Sequence, residues 1–314
     1  MKAVFLDAGT FSPEVQLSAP VGITDYVVYQ ATTPEQIIER CFDAQIIITN
    51  KVVLTGEIIK ALPNLRLIQL TATGMNNVDQ DACASCGVAL YNVAGYSVDS
   101  VPEHTLMLLL SVMRSATYYH RVATDGTWQA DGRFCLLNEP IFDLAGRTMG
   151  IVGSGNIGKK VGQLATAFGM RVLYAERINA TSVREGYTVF DEVLANSDVI
   201  SLHCPLTDET QHLINEQTIA KMHKKPVIIN VARGGVVDGG SIVKAMNAGE
   251  ILGYASDVFE AEPFADDDPL LTLKDHPRVL FTPHNAWGSL NAQRRLWQIL
   301  SEQVADFIAK QSAS

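Results

Sequence analysis

Four charged or titratable side chains recur at short intervals in the last third of the chain. Arg233 lies in IINVARGGVVD, Asp257 in LGYASDV, Glu262 in FEAEP and His284 in VLFTPH. An arginine is a planar fork of donors whose charge does not titrate away. Arg233 sits among Ala232, Gly234 and Gly235, which would leave that fork open to a bound carboxylate. The plainer alternative is a surface arginine on a loop after a strand. A histidine gives or takes a proton near neutrality, and a carboxylate beside it would stabilise the imidazolium. Together the set suits proton delivery to a carbonyl oxygen while an arginine holds the substrate's carboxylate. Any one of these residues alone is commonly structural, so the elements that carry them must decide.

Three of the four close or follow a short apolar run, and Glu262 sits in FEAEP just beyond the second. PVIINVA precedes Arg233, LGYASDV contains Asp257, and RVLFTPH ends in His284. With TMGIVG, RVLYAE and VISLHC upstream, these read as strands alternating with helical patterns, which predicts a parallel α/β sheet. Strand ends of one polarity then lie on one edge, where ligands of such sheets bind. An earlier series, KAVFLD, VVYQ, AQIIITN, LRLIQLT and VALYNV, predicts a second parallel sheet, with TPEQIIERCFD and TGEIIKAL as helices between. SVDSVPEHTLMLLLSVMRSATYYH reads as one long helix bridging the two series, capped at Ser97 or Ser100. LNAQRRLWQILSEQVADFIAK reads as a final helix returning to the first series, with Leu296, Leu300, Val304, Phe307 and Ile308 on one face. The expected domains are 1–98 with 289–314, and 99–288.

The strongest local motif is GIVGSGNIGKK. Gly153, Gly155 and Gly158 have the G-x-G-x-x-G spacing between a strand and a helix whose expected inner face is Ile157, Val161, Leu164 and Phe168. That context predicts a turn that brings backbone amides against a pyrophosphate at a helix start. The next strand ends in Glu176, a carboxylate placed to accept from adenosine ribose hydroxyls. Glu176 favours NAD. Arg177, next in sequence, leaves NADP as the alternative, because an arginine there can receive a 2′-phosphate; a solvated side chain is its plainer reading. Lys159 and Lys160 read as solvated helix residues, and His104 and His203 as structural.

The 314 residues are 47% hydrophobic and 18% charged, enough for a sizeable core. A net charge of -10 argues against nonspecific nucleic-acid binding. No apolar run approaches the roughly 20 residues of a membrane span, and MKAVFLDAG reads as a strand, not a signal peptide. Five cysteines form no disulfide framework, so a reduced, cytoplasmic setting is expected. Cys83 and Cys86 make a C-x-x-C, but at the end of a predicted helix, where the dipole does not stabilise a thiolate. No second pair completes a zinc site, and no metal is expected.

The stretches VGSGNIG, LHCPLT, INVARGGVVD, DVFEAEP and TPHNAW, in this order, resemble the D-isomer-specific 2-hydroxyacid dehydrogenase family. TATGMNNVD and SVPEH, a looser match, resemble its glycerate dehydrogenase (hydroxypyruvate reductase) branch. The resemblance implies two doubly wound parallel-sheet α/β domains, a Rossmann dinucleotide-binding domain inserted in a flavodoxin-like substrate domain. It implies Arg233, Glu262 and His284 as catalytic residues, Asp257 on the nicotinamide carboxamide, and a homodimer joined through the cofactor domains. The expected cofactor contacts are the loop Gly153, Ser154, Gly155, Asn156, Ile157 and Gly158, then Glu176, Arg177, Cys204, Pro205, Thr210 and Ala232, with Arg233, Asp257 and His284. The expected substrate contacts are Thr73, Gly74 and Met75 in a turn of the first domain that closes over the centre, with Arg233, His284 and Trp287. An ordinary turn and a packing tryptophan are the plainer readings of those first-domain and Trp287 assignments. Asn285 departs from the family, which has an apolar residue after the histidine.

The expected activity is hydride transfer between NAD(P)H and a small 2-keto acid, with hydroxypyruvate or glyoxylate preferred. A phosphoglycerate dehydrogenase is a rival, weighed down by the lack of a regulatory extension after the last helix, although short forms exist. Formate dehydrogenase is disfavoured by Glu262, where that branch resembles a glutamine. A dinucleotide-sensing binding protein is disfavoured by the intact Arg, Glu and His set.

Overall fold

The computed structural model describes residues 1–312. The chain divides into two compact units. One is Met1–Ser97 with the described residues from Trp287 onward; the other is Val98–Ala286.

The first unit holds five parallel strands: β1 (Lys2–Phe5), β2 (Asp25–Val28), β3 (Ile46–Thr49), β4 (Leu67–Leu70) and β5 (Ala89–Tyr91), in the order β2-β1-β3-β4-β5. This is the flavodoxin-like order. Its central strands are apolar without alternation because both faces are covered. Ile46 and Ile48 turn to one face, where Leu296, Leu300, Val304 and Phe307 of the helix Leu290–Ser312 pack. Ile47 turns to the other, against Ile37, Ile59 and Ala82 of three short helices. Cys83 and Cys86 close the third of these, Gln80–Cys86; Cys83 is buried, Cys86 exposed, and burial pushes the Cys83 thiol up.

The second unit holds six parallel strands: β6 (Thr148–Val152), β7 (Arg171–Ala175), β8 (Val199–Leu202), β9 (Val227–Asn230), β10 (Gly253–Ser256) and β11 (Val279–Phe281). Their order is β11-β10-β9-β8-β6-β7. From β6 the chain goes first to β7 on one side and then to β8 on the other, so the winding direction switches between β6 and β8. A crevice opens at such a point, outside the carboxyl ends of the strands. Beyond β7, a single parallel bridge from Ala175 to Thr188 stands where a further edge strand would lie.

The expected long helix is interrupted. Helix Ser100–Met113 stops before Ser115, which has φ 47°, and the chain restarts as Ala116–Thr124 and then Thr127–Asp131. The first piece lies within the second unit, where Leu106, Leu109 and Val112 pack with Met149, Val199 and Val227. Neither expected cap forms. Asp99 precedes the helix, and Ser100 Oγ instead donates to Ala286 O at 2.6 Å. The unit boundaries fall at Ser97/Val98 and Ala286/Trp287, so Trp287 belongs to the first unit.

Candidate active site and dinucleotide cavity

The three motif glycines are demanded for three different reasons. Gly153 leaves β6 with φ +94°, and a Cβ there would lie 2.5 Å from the His203 carbonyl carbon and the Cys204 amide. At Gly158 a Cβ would stand 2.0 Å from Gly153 O. Gly155 meets nothing within 4 Å. The first and third glycines therefore let the protein pack on itself, and the second faces open space at the start of helix Asn156–Ala167. Unpaired amides at a helix start with room in front of them fit a pyrophosphate. Val161 and Ala165 form the buried side of this helix, with Ile157 and Leu164 partly buried; Phe168, expected on that face, is exposed.

Beside the loop is a cavity of 460 Å³ whose lining includes Ser154, Gly155, Glu176, Arg177, Cys204, Pro205 and Thr210. Thr210 Oγ1 donates to Pro205 O at 2.6 Å and accepts from Thr207 N at 2.8 Å, which fixes the turn after β8. Burial pushes the Cys204 thiol up to about 11 and the His203 imidazole down to about 3, so neither carries charge near neutrality. Asn156, Ile157, Ala232, Asp257 and His284 lie outside this cavity lining.

Glu176 is not a free acceptor. It is 5% exposed. Its Oε1 accepts from Arg177 N at 2.9 Å and Arg184 Nη2 at 2.7 Å; its Oε2 accepts from Arg184 Nε at 2.7 Å and Arg184 N at 3.1 Å. The Arg184 guanidinium holds the carboxyl well below its usual range, at about 2. Arg184 also stacks 3.9 Å over the Tyr187 ring, whose hydroxyl lies 2.6 Å from Ser154 Oγ. Sequence reading missed Arg184 and Tyr187. They lie in a loop with no periodicity, and nothing in their spacing marks the partnership.

At the other end of the sheet, β9, β10 and β11 are parallel neighbours, so the segments after them emerge on one edge. Arg233 follows β9 and is partly buried. Its Nη1 donates to Ala232 O at 2.7 Å, and it has no acidic partner among the described residues. Its neighbour Gly234 is small for a reason within the protein: a Cβ there would lie 1.9 Å from the Phe259 carbonyl carbon. Close packing against Phe259 is thus a second demand for glycine at this position, beside the open fork of Arg233.

Glu262 and His284 are a pair, with Nδ1 2.6 Å from Oε2. Phe259 N donates to Glu262 Oε1 at 3.0 Å, fixing the carboxylate's other oxygen. A bond from Nδ1–H to the carboxylate leaves Nε2 as the atom that can hand over a proton. His284 itself has φ 51°, an uncommon backbone region. The loop around it is held by Asp257, which is 1% exposed. Asp257 Oδ1 accepts from Thr282 Oγ1 at 2.6 Å and Asn285 N at 2.9 Å, and Oδ2 accepts from Ala286 N at 2.9 Å. Only the backbone of Asn285 is used here and its side chain is exposed, so no apolar residue is called for at that position.

His104, read from sequence as merely structural, backs this loop. Its Nε2 lies 2.9 Å from Thr282 Oγ1 and 3.5 Å from Asp257 Oδ1. The Thr282 hydroxyl gives its one proton to Asp257, so His104 must be the donor to it. Burial lowers the His104 pKa against the opposing effect of Asp257.

In the first unit, Thr73–Met75 form the turn after β4. Thr73 Oγ1 donates to Val93 O at 3.0 Å, and Asn92 Nδ2 donates to Thr73 O at 2.6 Å. The Gly74 and Met75 amides have no acceptor among the described residues. Trp287 packs edge-on against Phe11 and Tyr96, at centroid distances of 6.0 and 6.2 Å.

Residues 106–286 match the family described as D-isomer specific 2-hydroxyacid dehydrogenase, NAD binding domain. The chain is 36% identical over 310 residues to the glycerate dehydrogenase of Methylorubrum extorquens, covering 98% of this chain and 96% of the relative. It is 33% identical over 315 residues to the hydroxypyruvate reductase of Blautia hydrogenotrophica, covering 98% and 97%. Among solved structures, D-lactate dehydrogenase from Aquifex aeolicus, complexed with NAD and lactic acid, superimposes with a TM-score of 0.82 at 28% identity, covering 99% of this chain and 96% of that one. The chain belongs to the D-isomer-specific 2-hydroxyacid dehydrogenase family, near its glycerate dehydrogenase branch. It is an NAD-dependent oxidoreductase with two parallel-sheet α/β units, one of them a Rossmann domain.

Proposed function

We propose that this enzyme reduces a small 2-keto acid to the D-2-hydroxy acid, with hydroxypyruvate or glyoxylate as substrate. The observation that carries the catalytic assignment is the His284–Glu262 contact at 2.6 Å on the sheet edge that also carries an acid-free Arg233. When bound, a dihydronicotinamide would supply the hydride that the keto carbon accepts. As negative charge grows on the carbonyl oxygen, His284 delivers its Nε2 proton there, and Glu262 stabilises the imidazolium beforehand. Arg233 holds the substrate carboxylate and offers positive charge to the carbonyl oxygen. Within the first unit, the Gly74 and Met75 amides, after Thr73, are left without an acceptor, as a carboxylate-binding turn requires. Asp257 is assigned to the nicotinamide carboxamide, while its bonds from Thr282, Asn285 and Ala286 hold the His284 loop. Ser154, Asn156 and Ile157 would hold the pyrophosphate, and Ala232 the nicotinamide.

The names of the relatives support the substrate choice, and the paired Glu262 disfavours the formate branch. We assign a homodimer as well. Trp128, Phe134 and Leu137 are exposed apolar residues in one segment of the second unit, Phe134 at 95%. A second copy of the chain would cover them. Five free cysteines support a reducing cytoplasm, and no described helix is long and apolar enough to cross a membrane.

The test is turnover of NADH with hydroxypyruvate, glyoxylate, pyruvate and 3-phosphohydroxypyruvate. Hydroxypyruvate or glyoxylate should give the highest kcat/KM. A preference for the phosphorylated acid would replace this reading with the phosphoglycerate dehydrogenase one.

A further inference from the structure

β4 lies inside the five-stranded sheet and is otherwise apolar, yet its third residue, Gln69, is 0% exposed. A buried amide costs free energy unless its groups are bonded. Gln69 Nε2 donates to Leu70 O at 3.3 Å and to Gln303 Oε1 at 3.0 Å, on the helix Leu290–Ser312. Gln303 Nε2 donates to Asn92 O at 3.1 Å, and Asn92 Nδ2 donates to Thr73 O at 2.6 Å. One chain of amides thus runs from the core of the first unit to the turn after β4. Apolar residues at 69 and 303 would fill the same layer without the cost of burying amides.

The end of this chain shows what it is for. The carbonyl of Thr73 and the N–H of Gly74 share one planar, trans peptide and point in opposite directions. Whatever holds Thr73 O therefore aims the Gly74 amide the other way. That amide and Met75 N have no acceptor among the described residues. The preceding backbone is joined to the segment after β5, where Val93 N donates to Ala72 O at 3.0 Å and Thr73 Oγ1 donates to Val93 O at 3.0 Å. The far end of the turn is held separately, by Asn77 Nδ2 on Val52 O at 3.0 Å.

We infer that Asn92 is a positioning residue for the substrate carboxylate: it holds Thr73 O so that the Gly74 N–H faces the ligand, and Gln303 and Gln69 hold Asn92 from behind. The inference rests on the assignment of the Gly74–Met75 turn to the carboxylate of a keto acid. Asn92 touches no reacting atom and acts only through the Thr73–Gly74 peptide. An amide already aimed at the anion needs no reordering when the anion arrives, so its bond contributes in full to binding.

Steady-state kinetics of the intact enzyme with glyoxylate, pyruvate and hydroxypyruvate test this. Glyoxylate is the sharpest probe, because it carries only the carboxylate and the carbonyl. Asn92→Asp keeps the shape and removes the donor. It should raise KM by about tenfold for every acid alike, as for the weakening of one charge-assisted hydrogen bond, with kcat down by less than about threefold and KM for NADH unchanged. Asn92→Ala, which adds no charge, should do the same, and Asn92→Gln, which keeps an amide donor, should recover part of the loss. Gln69→Leu combined with Gln303→Leu replaces both partners by apolar groups of similar size. In that variant Tm should hold or rise while KM for the acids rises by about threefold. A merely structural role forecasts the reverse, a lower Tm with unchanged KM. Unchanged KM in Asn92→Asp and Asn92→Ala, or a rise confined to hydroxypyruvate, would overturn the inference and leave the keto-acid reading standing. A wild-type enzyme that reduces none of these acids would overturn both.

Discussion

The carboxyl edge of the six-stranded sheet presents a histidine and a glutamate at each of two places, and the two places behave differently. After β11, His284 touches Glu262 at 2.6 Å, and both side chains remain a quarter to a third exposed. Around the glycine loop, His203 follows β8 and Glu176 follows β7, and each is committed to something else. Ser201 Oγ is the partner of His203 Nε2 at 2.8 Å, and its Nδ1 is buried without a partner. Arg184 takes Glu176. The residue types match, but the first pair lies open to a ligand and keeps its contact to itself. The second holds its charges constant: a neutral imidazole, and a carboxylate balanced by a cation that does not titrate. Chemistry belongs at the first place and recognition at the second.

The widest gap between the two places should appear on removing each histidine. His284→Ala is expected to lower kcat/KM for keto-acid reduction by about a thousandfold, within the range for loss of a general acid. NADH binding, followed by fluorescence titration, should change little. An active His284→Ala enzyme would dissolve the contrast.

Arg233→Ala tests the same edge from the substrate side. Loss of its charged bonds should cost on the order of 3 kcal/mol, or a hundredfold in kcat/KM. KM for the keto acid should rise and kcat should fall together, because the group acts in both binding and the transition state. Near wild-type kcat/KM would end the assignment.

Glu262→Gln keeps the shape and removes the charge. It is expected to lower kcat for reduction by about tenfold while His284 stays in place. The matching change at the other end, Glu176→Gln, should leave kcat near wild type and alter only nucleotide affinity. Equal kcat losses in the two variants would mean that the two pairs are not functionally distinct.

How far the sequence revealed these places follows from what each depends on. The strands of the second sheet were legible because buried parallel strands read as apolar runs. The glycine spacing located the turn, and the order of strand ends placed Arg233, Asp257 and His284 on one edge. What depended on loop geometry was not legible. Arg184 reaches Glu176 across a segment with no helical or strand period, so only the folded loop brings the two together. His104 looked like one more polar residue on an apolar helix until Thr282 and Asp257 appeared beside it. The break at Ser115 was hidden because serine carries no strong stop signal, and the apolar pattern of Leu106–Met113 runs up to it. The packing demand at Gly234 was not legible because the backbone of Phe259 comes from another strand end.

His203 provides the finest test, through acid stability. Its imidazole is pushed from the ordinary 6.5 down to about 3 by burial, so the folded protein keeps it neutral where the unfolded chain protonates it. The unfolded state then binds more protons, and stability rises with pH across that interval. His203's share is therefore complete above 6.5 and is lost progressively as pH falls from 6.5 towards 3. Replacement by asparagine, which cannot titrate, should lower Tm at neutral pH through poorer packing. It should also flatten the decline of Tm with falling pH, so the wild-type and variant curves approach each other below 6.5. Glu176 titrates lower, from an ordinary 4.5 down to about 2, so its contribution is present above 4.5 and fades only below it. The two groups lining one cavity thus occupy different parts of the acid limb. Thermal melts of wild type and His203→Asn between these limits separate them. Parallel curves with a constant offset would mean that His203 is protonated in the folded protein, and that the nucleotide end is not held at constant charge.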